Sequence, residues 1–524
     1  MKRLTTILCV GALALPVAAW QASEPVDAAM NGKIRAEGLQ RSQVARYFGM
    51  FVDDIGPRLT GSPAHKRAAE WAKQELTAIG LSGARLESFE FGRGWSLDKQ
   101  TIEMVEPRYV PLVGYAEAWS PSTNGEVTTM AVTLAGKSGD ALTTALATVK
   151  GAAVLLQPAV SNFISTDRVP PLSQPDPAFV DAPAAAGAAP VAAGAAAPAT
   201  GAAAPAAGRA GTGQARQGGA GRGGRGGGPS NADLVAAGAT VLIKPSRGLH
   251  GTVFVQAATR EAANDPLPKI VLAGEHYNMI VRLLERGTPV RLRINVKGTW
   301  HEDRNSYNVL GELPGTDPSL RDDVVMLGAH LDSWHTGTGA TDNADGAAVA
   351  MEAFRILKAI GAQPKRTVRL ALWSGEEEGL LGSRAWVAAH LAGDANRQAR
   401  ERLDVYFNID PGKGPIYGWY LENNRAVKPI FDAWLAPFAD LGAVRNVPQG
   451  IGNTDHLSFI AAGVPGFNPI QDYKDYDVRE HHTNADLAER IDLKDLQQNA
   501  VVLASFLYHA ATRAERLPSP LRPQ

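Results

Sequence analysis

After Tyr307 the chain settles into a regular alternation of short apolar runs and amphipathic segments, an order that few folds accommodate. Residues 324–329, 369–373 and 405–409 read as strands. Ala347, Ala350, Met351, Phe354 and Leu357 recur at helical spacing, with Gly361 just past the last turn. Val427, Ile430, Phe431, Trp434, Leu435 and Phe438 mark a second helix that stops at Gly442, and a third covers about 493–511. This pattern predicts an α/β fold, a mixed, mainly parallel sheet covered by helices.

In open sheets of this kind, ligands collect at the carboxyl ends of the strands. The first strand runs into His330-Leu331-Asp332, the second into Gly375-Glu376-Glu377-Glu378-Gly379, and the third ends at Asp410. Between the first two lies a loop, 339–346, that carries Asp342, Asn343 and Asp345. His481-His482-Thr483-Asn484-Ala485-Asp486 follows near the C-terminus. Each piece alone is a common structural or surface pattern. Carboxylates gathered at successive strand ends repel one another unless cations neutralise them, and two divalent metals would do so.

The rest of the chain bounds the problem. Its 524 residues suffice for two to four domains, and a formal net charge of -1 gives no reason to expect nucleic acid or an anionic membrane as partner. Lys2 and Arg3, an apolar run over about 4–15, Pro16 and Val17-Ala18-Ala19 form a signal peptide over 1–19. The run is too short to span a bilayer, so the expectation is export to the periplasm or medium with no integral membrane segment in the mature chain. The single cysteine, Cys9, lies inside this signal, so a metal site in the mature chain must use His, Asp and Glu. Residues 31–95 read as helices and turns, including an amphipathic stretch over 64–79 closed by Gly80. Residues 112–296, with apolar runs at 153–156, 239–243 and 269–272, read as a β-rich insert that divides a catalytic domain into 24–111 and 297–515, leaving 516–524 as a tail. Within the insert, 182–228 is nearly all Ala, Gly and Pro, with Arg209, Arg216, Arg222 and Arg225 near its end. That composition buries too little to offset its ordering entropy and predicts a disordered linker in preference to an RNA-binding segment.

Taken together, His330-Leu331-Asp332, Asp342-Asn343, the Glu376-Glu377 run through Ser383, Asn408-Ile409-Asp410 and His482-Thr483-x-x-Asp486 resemble the zinc exopeptidases that include bacterial leucyl aminopeptidases and plasma glutamate carboxypeptidase. The segment from Ile55 to Ser62 and Ser306-Tyr307-Asn308-Val309 also resemble that family, and the insert resembles its protease-associated domain. The resemblance implies that Asp342 bridges two zinc ions, that His330 and Asp410 complete one, and that Glu377 and His482, in preference to His481, complete the other. It implies further that Asp332 accepts a hydrogen bond from His330, that Glu376 is the general base, and that the Asp342–Asn343 peptide is cis. Imidazole and carboxylate donors without thiolates suit zinc, with cobalt or manganese as substitutes. Asp455 and His456 are expected to line the pocket or support the ligands, and Tyr473 or Tyr476 to stabilise an oxyanion. Asp345 is expected to cap a helix, Glu378 to face solvent, and His335 to stand at the pocket rim. The activity implied is exopeptidase action on short peptides, an aminopeptidase first, with a carboxypeptidase or dipeptidase as the alternative. The complete five-ligand set argues against a one-zinc glutaminyl cyclase and against a binding protein that has lost its ligands.

Overall fold

The computed structural model describes residues 24–175, 178–179, 228–257 and 266–522. The expected signal peptide with Cys9, residues 182–227 of the Ala/Gly/Pro-rich loop and the last two residues of the tail lie outside them.

Val324–His330 is buried along almost its whole length, as a central strand covered on both faces must be. It pairs in parallel with Thr367–Trp373 on one side and Leu403–Asn408 on the other, and the latter pairs in parallel with Gly466–Asp472. Antiparallel strands complete the sheet. The order across its seven strands is Ser82–Glu90, Asn305–Leu313, Thr367–Trp373, Val324–His330, Leu403–Asn408, Gly466–Asp472, Lys413–Tyr420. Helix Asp345–Ala359 is buried from Asp345 through Leu357. Its small residues Gly346, Ala347, Ala348 and Ala350 let it pass under the sheet, and helix Leu493–Thr512 packs against it in the same apolar core. The predicted mixed α/β architecture is therefore present.

Two strand assignments depart from the sequence reading of 31–95. Ser82–Glu90 is an edge strand, and Gly94–Glu106 opens a second sheet. In the first, Leu86 and Phe89 stand three apart among Arg85, Glu87 and Glu90, a spacing that mimics a helix turn. Charged side chains of this kind are what a sheet edge requires.

The second sheet has eight strands, ordered Val110–Pro111, Gly94–Glu106, Arg291–His301, Val127–Thr133, Ala153–Leu155, Val241–Pro245, Lys269–Leu272, Gly114–Ala116. It has its own core, in which Ile102, Leu155, Ile243, Ile270 and Leu292 meet Tyr277, Ile280 and Val281 of helix Gly274–Glu285. This sheet runs from Gly94 to His301, wider than 112–296, because its two long strands pair with each other along most of their length. Gly94 lies so close to the first domain that a Cβ there would stand 1.9 Å from the Gly61 carbonyl oxygen. Among the described residues no helix is long and apolar enough to cross a membrane.

Candidate metal centre

His330 is the last residue of its strand, and the ladder continues one residue further, where Leu331 N–H donates to the Trp373 carbonyl (2.7 Å). Beyond that point the chain is held by Arg58. Its fully buried guanidinium donates to five backbone carbonyls, those of Phe51, Gly56, Leu331, Thr338 and Gly339. One cation thus ties the end of the ligand strand to the loop that leads to Asp342. Asp342 itself lies in a turn, Ala340–Ala344, whose Asp342–Asn343 peptide is cis. The Asp486 carboxylate fixes this turn, accepting from Thr341 N (2.7 Å), Thr341 Oγ1 (2.9 Å) and Asp342 N (3.2 Å).

The side chains converge in two groups that share Asp342. On one side, His330 Nε2 lies 3.1 Å from Asp342 Oδ1 and 3.8 Å from Asp410 Oδ1. On the other, His482 Nε2 lies 3.4 Å from Asp342 Oδ2 and 2.8 Å from Glu377 Oε2. His481 is farther out, with Nε2 4.0 Å from Asp342 Oδ2, and its ring stacks between Tyr476 and His482. His330 Nε2, Asp342 Oδ2 and Glu377 Oε1 are buried without a hydrogen-bond partner. Native interiors rarely leave such atoms unsatisfied. A set of buried nitrogen and carboxylate donors turned toward one another fits divalent cations, and zinc suits its chemistry.

Electrostatics agrees with that fit. Burial and the surrounding acidic groups push Glu376 and Glu377 well above the ordinary carboxylate range. Burial also opposes ionisation of Asp342, yet His330 and His482 beside it hold it below the usual range. His330 is buried, but Glu376 and its hydrogen-bonding acidic neighbours keep its pKa well above the ordinary value. Cations would relieve exactly the repulsion that distorts these groups in their absence from solvent.

Several expected residues fall elsewhere. His330 Nδ1 bonds the backbone carbonyl of Asp332 (3.0 Å), while the Asp332 carboxylate stands 3.7 Å away. That carboxylate instead accepts from Thr60 Oγ1 (3.0 Å) and from the backbone N–H groups of Glu376 and Glu377 (both 3.3 Å). Asp332 therefore braces the glutamate turn more directly than it braces His330. The Asp455 carboxylate is buried beside Ser383, near the site's other acidic groups, and burial raises its pKa to about 7. His456 is fully buried, with Nε2 3.1 Å from Glu422 Oε1. Tyr473 commits its hydroxyl to Tyr420 (3.2 Å), whereas the buried Tyr476 hydroxyl has no hydrogen-bond partner. Asp345 is the first residue inside its helix, where it accepts from Gly346 N (2.7 Å) without serving as the N-cap. Glu378 buries both carboxylate oxygens, because the turn from Gly375 to Leu381 folds back on itself through Gly379 N–H to Glu376 O (2.8 Å). His335 is wedged between the two sheets, bonded to the Ala116 carbonyl (2.8 Å) and packed edge-on against Trp95. The sequence reading gave no roles to Arg58, Thr60, Asp486 or Gln256. Arg58 and Thr60 lie in the 55–62 segment and Asp486 four residues after His482, so for these three the motifs already noted were the available signal.

Residues 308–507 match the family model of peptidase family M28. Mouse carboxypeptidase Q is 26% identical over 498 residues, which covers 94% of this chain and 89% of that protein. Among solved structures, a peptidase M28 precursor from Shewanella amazonensis superposes with a TM-score of 0.64 at 22% identity, covering 95% of this chain and 99% of that one. A zinc aminopeptidase from Bacillus subtilis gives a TM-score of 0.55 at 17% identity, with 91% and 98% covered, and so shares the fold. On these matches residues 308–507 carry the peptidase family M28 pattern, and the chain along most of its length is similar to carboxypeptidase Q and shares the fold of the solved M28 peptidase.

Proposed function

We propose that this protein is a two-zinc exopeptidase of the M28 type that removes the amino-terminal residue of short peptides. The observation that carries the reading is the Asp342 carboxylate, which turns Oδ1 to His330 and Oδ2 to His482. His330 and Asp410 would hold one ion, Glu377 and His482 the other, and Asp342 would serve both. Cobalt or manganese could take the same donors. Bound there, the ions would polarise the scissile carbonyl and acidify the attacking water.

The chain's own residues supply the remainder. Glu376 stands next to a ligand without belonging to either group, and its raised pKa suits a base that takes a proton from water and returns it to the leaving amine. Asp332 and Thr60 hold the turn that aims Glu376 and Glu377. The free hydroxyl of Tyr476, near Asp342 and Asp410, is the better placed of the two tyrosines to donate to a developing oxyanion. Asp332, Asp410, Glu376, Asp455 and Asp486 make the surroundings acidic, while the nearby Arg58 is spent on carbonyls. That balance favours a substrate ammonium. The N-terminal sequence supports export of the mature chain to the periplasm or medium.

A second reading, carboxypeptidase or dipeptidase action, is favoured by the alignment of carboxypeptidase Q along 94% of the chain. A panel of dipeptides and tripeptides with either terminus blocked separates the two. Loss of cleavage on N-terminal blocking alone is expected for the first reading. Loss on C-terminal blocking selects a carboxypeptidase, or a dipeptidase where tripeptides also resist. No cleavage of any member by protein holding two zinc ions overturns the peptidase assignment.

A further inference from the structure

The loop that carries His482 is gripped at both ends by the second sheet's domain. At its start, Asp167 accepts from Asp475 N (2.9 Å) and Val478 N (3.0 Å), and Arg168 forms a two-pronged ion pair with Asp477 while lying over the Tyr473 ring. At its end, residues 253–256 run alongside 482–484 in a short antiparallel contact. Val255 N–H donates to the His482 carbonyl (3.2 Å), Val253 N–H to Asn484 Oδ1 (2.7 Å), and Phe254 pairs with Thr483. The next residue, Gln256, places its amide nitrogen Nε2 3.1 Å from His482 Nδ1, so that a half-turn of the amide brings Oε1 to the same place.

We propose that Gln256 is a positioning residue for the metal site, fixing the ring orientation and tautomer of His482 from the inserted domain. The proposal rests on the reading of Glu377 and His482 as the ligands of one zinc. For Nε2 to turn a lone pair toward Glu377 and Asp342, Nδ1 must carry the ring proton, and that proton needs an acceptor. The carboxamide oxygen of Gln256 is that acceptor once the amide presents it to Nδ1, and the oxygen and nitrogen ends of an amide exchange by a half-turn. The rest of the ring is already confined, since Trp334 meets it edge-on and His481 stacks on it. His482 adopts a positive φ of 62°, and the Val255 N–H bond to its carbonyl holds this backbone against the 253–256 segment. The insert is thereby part of the site, and its seating on the catalytic domain sets how well one of the two ions is held.

The test is zinc affinity in Gln256→Met and Gln256→Glu, read by competition with a chromogenic chelator. Methionine keeps the bulk and removes the acceptor; glutamate keeps the acceptor. The expected result is a loss of about 10- to 100-fold in the affinity of one of two zinc ions in Gln256→Met, with the other unchanged and with affinity retained in Gln256→Glu. Saturating zinc should then restore kcat in Gln256→Met. Histidine ring nitrogen spectra of the zinc-loaded protein should place the His482 proton on Nδ1 in the parent and in Gln256→Glu. Unchanged affinity of both ions in Gln256→Met overturns the proposal, as does an equal loss of both accompanied by a lowered unfolding midpoint. Failure of the parent protein to bind two zinc ions would instead overturn the two-zinc reading on which it rests.

Discussion

The role proposed for Glu376 makes two demands: the carboxylate must stay off the metals, and it must be basic enough to take a proton from water. The backbone bonds to Asp332 satisfy the first by fixing the turn, and burial among acidic neighbours satisfies the second by raising the pKa. Glu376→Gln keeps the shape and removes the base. It should bind zinc like the parent while kcat falls by about 10²–10⁴-fold, as measured by steady-state kinetics beside metal analysis. Asp486 makes a different prediction. It holds the proposed bridging turn by accepting from the backbone N–H groups of Thr341 and Asp342 and from the Thr341 hydroxyl, so Asp486→Ala should weaken zinc binding by roughly 10- to 100-fold. The contrast explains what was legible at this scale. Residue type and position drew attention to the strand ends, the 339–346 loop and 481–486, and the family resemblance singled out His330, Asp342, Glu377, Asp410 and His482 among them. The supports act through backbone groups, and nothing in a side chain's identity announces which distant carbonyl or N–H it will meet. Arg58 is of this second kind, and the partner Asp332 takes, a turn in place of a histidine ring, is as well.

Elements of the catalytic sheet were readable where burial is two-sided and continuous, as in Val324–His330 and Thr367–Trp373. Lys413–Tyr420, with Pro415, Gly414 and Gly418 inside it, carries signals against a strand and is tolerated because it lies at the sheet edge. Helix Pro63–Ile79 shows how an element can carry a pH response. Ser62 caps it by accepting from His65 N (3.2 Å), and the same His65 buries its ring, which burial holds at a pKa of about 4. The folded value lies below that of the unfolded chain, so the unfolded state binds the extra proton between about pH 6.5 and 4. Folding stability is therefore intact above pH 6.5 and falls as pH drops through this window, by on the order of 3 kcal/mol from this residue. Urea midpoints measured from pH 7 to pH 4.5 should decline in the parent and decline less in His65→Leu.

For the whole molecule, the metals should contribute to stability as well as to turnover. Proposed ligands drawn from three strand ends, the 340–344 turn and the 482 loop are brought into mutual repulsion by folding, and cations that bind the folded state alone stabilise it by mass action, about 4 kcal/mol at a thousandfold excess over Kd. Treatment with a strong chelator should abolish hydrolysis and lower the thermal midpoint by several degrees, and zinc should restore both. Domain order was legible from composition along the chain, but the seating of the second sheet on the 473–484 loop was not, since it depends on pairings between residues more than two hundred positions apart. A longer-range pairing closes the molecule. Asp27 N–H donates to His509 Nε2 (3.1 Å), Ser505 Oγ to Asn31 Oδ1 (2.8 Å), and Arg513 Nε to Glu24 Oε1 (2.9 Å). Helix Ala28–Gln40 also rests on helix Asp345–Ala359, where Arg355 donates to Glu37 (2.7 Å), but its seam with Leu493–Thr512 forms only after nearly all of the intervening polypeptide has left the ribosome. The same adjacency makes the backbone nearly circular: a permuted gene that fuses 522 to 24 through a short linker and opens new ends at the exposed turn around Gly393 should yield an enzyme with the parent's architecture.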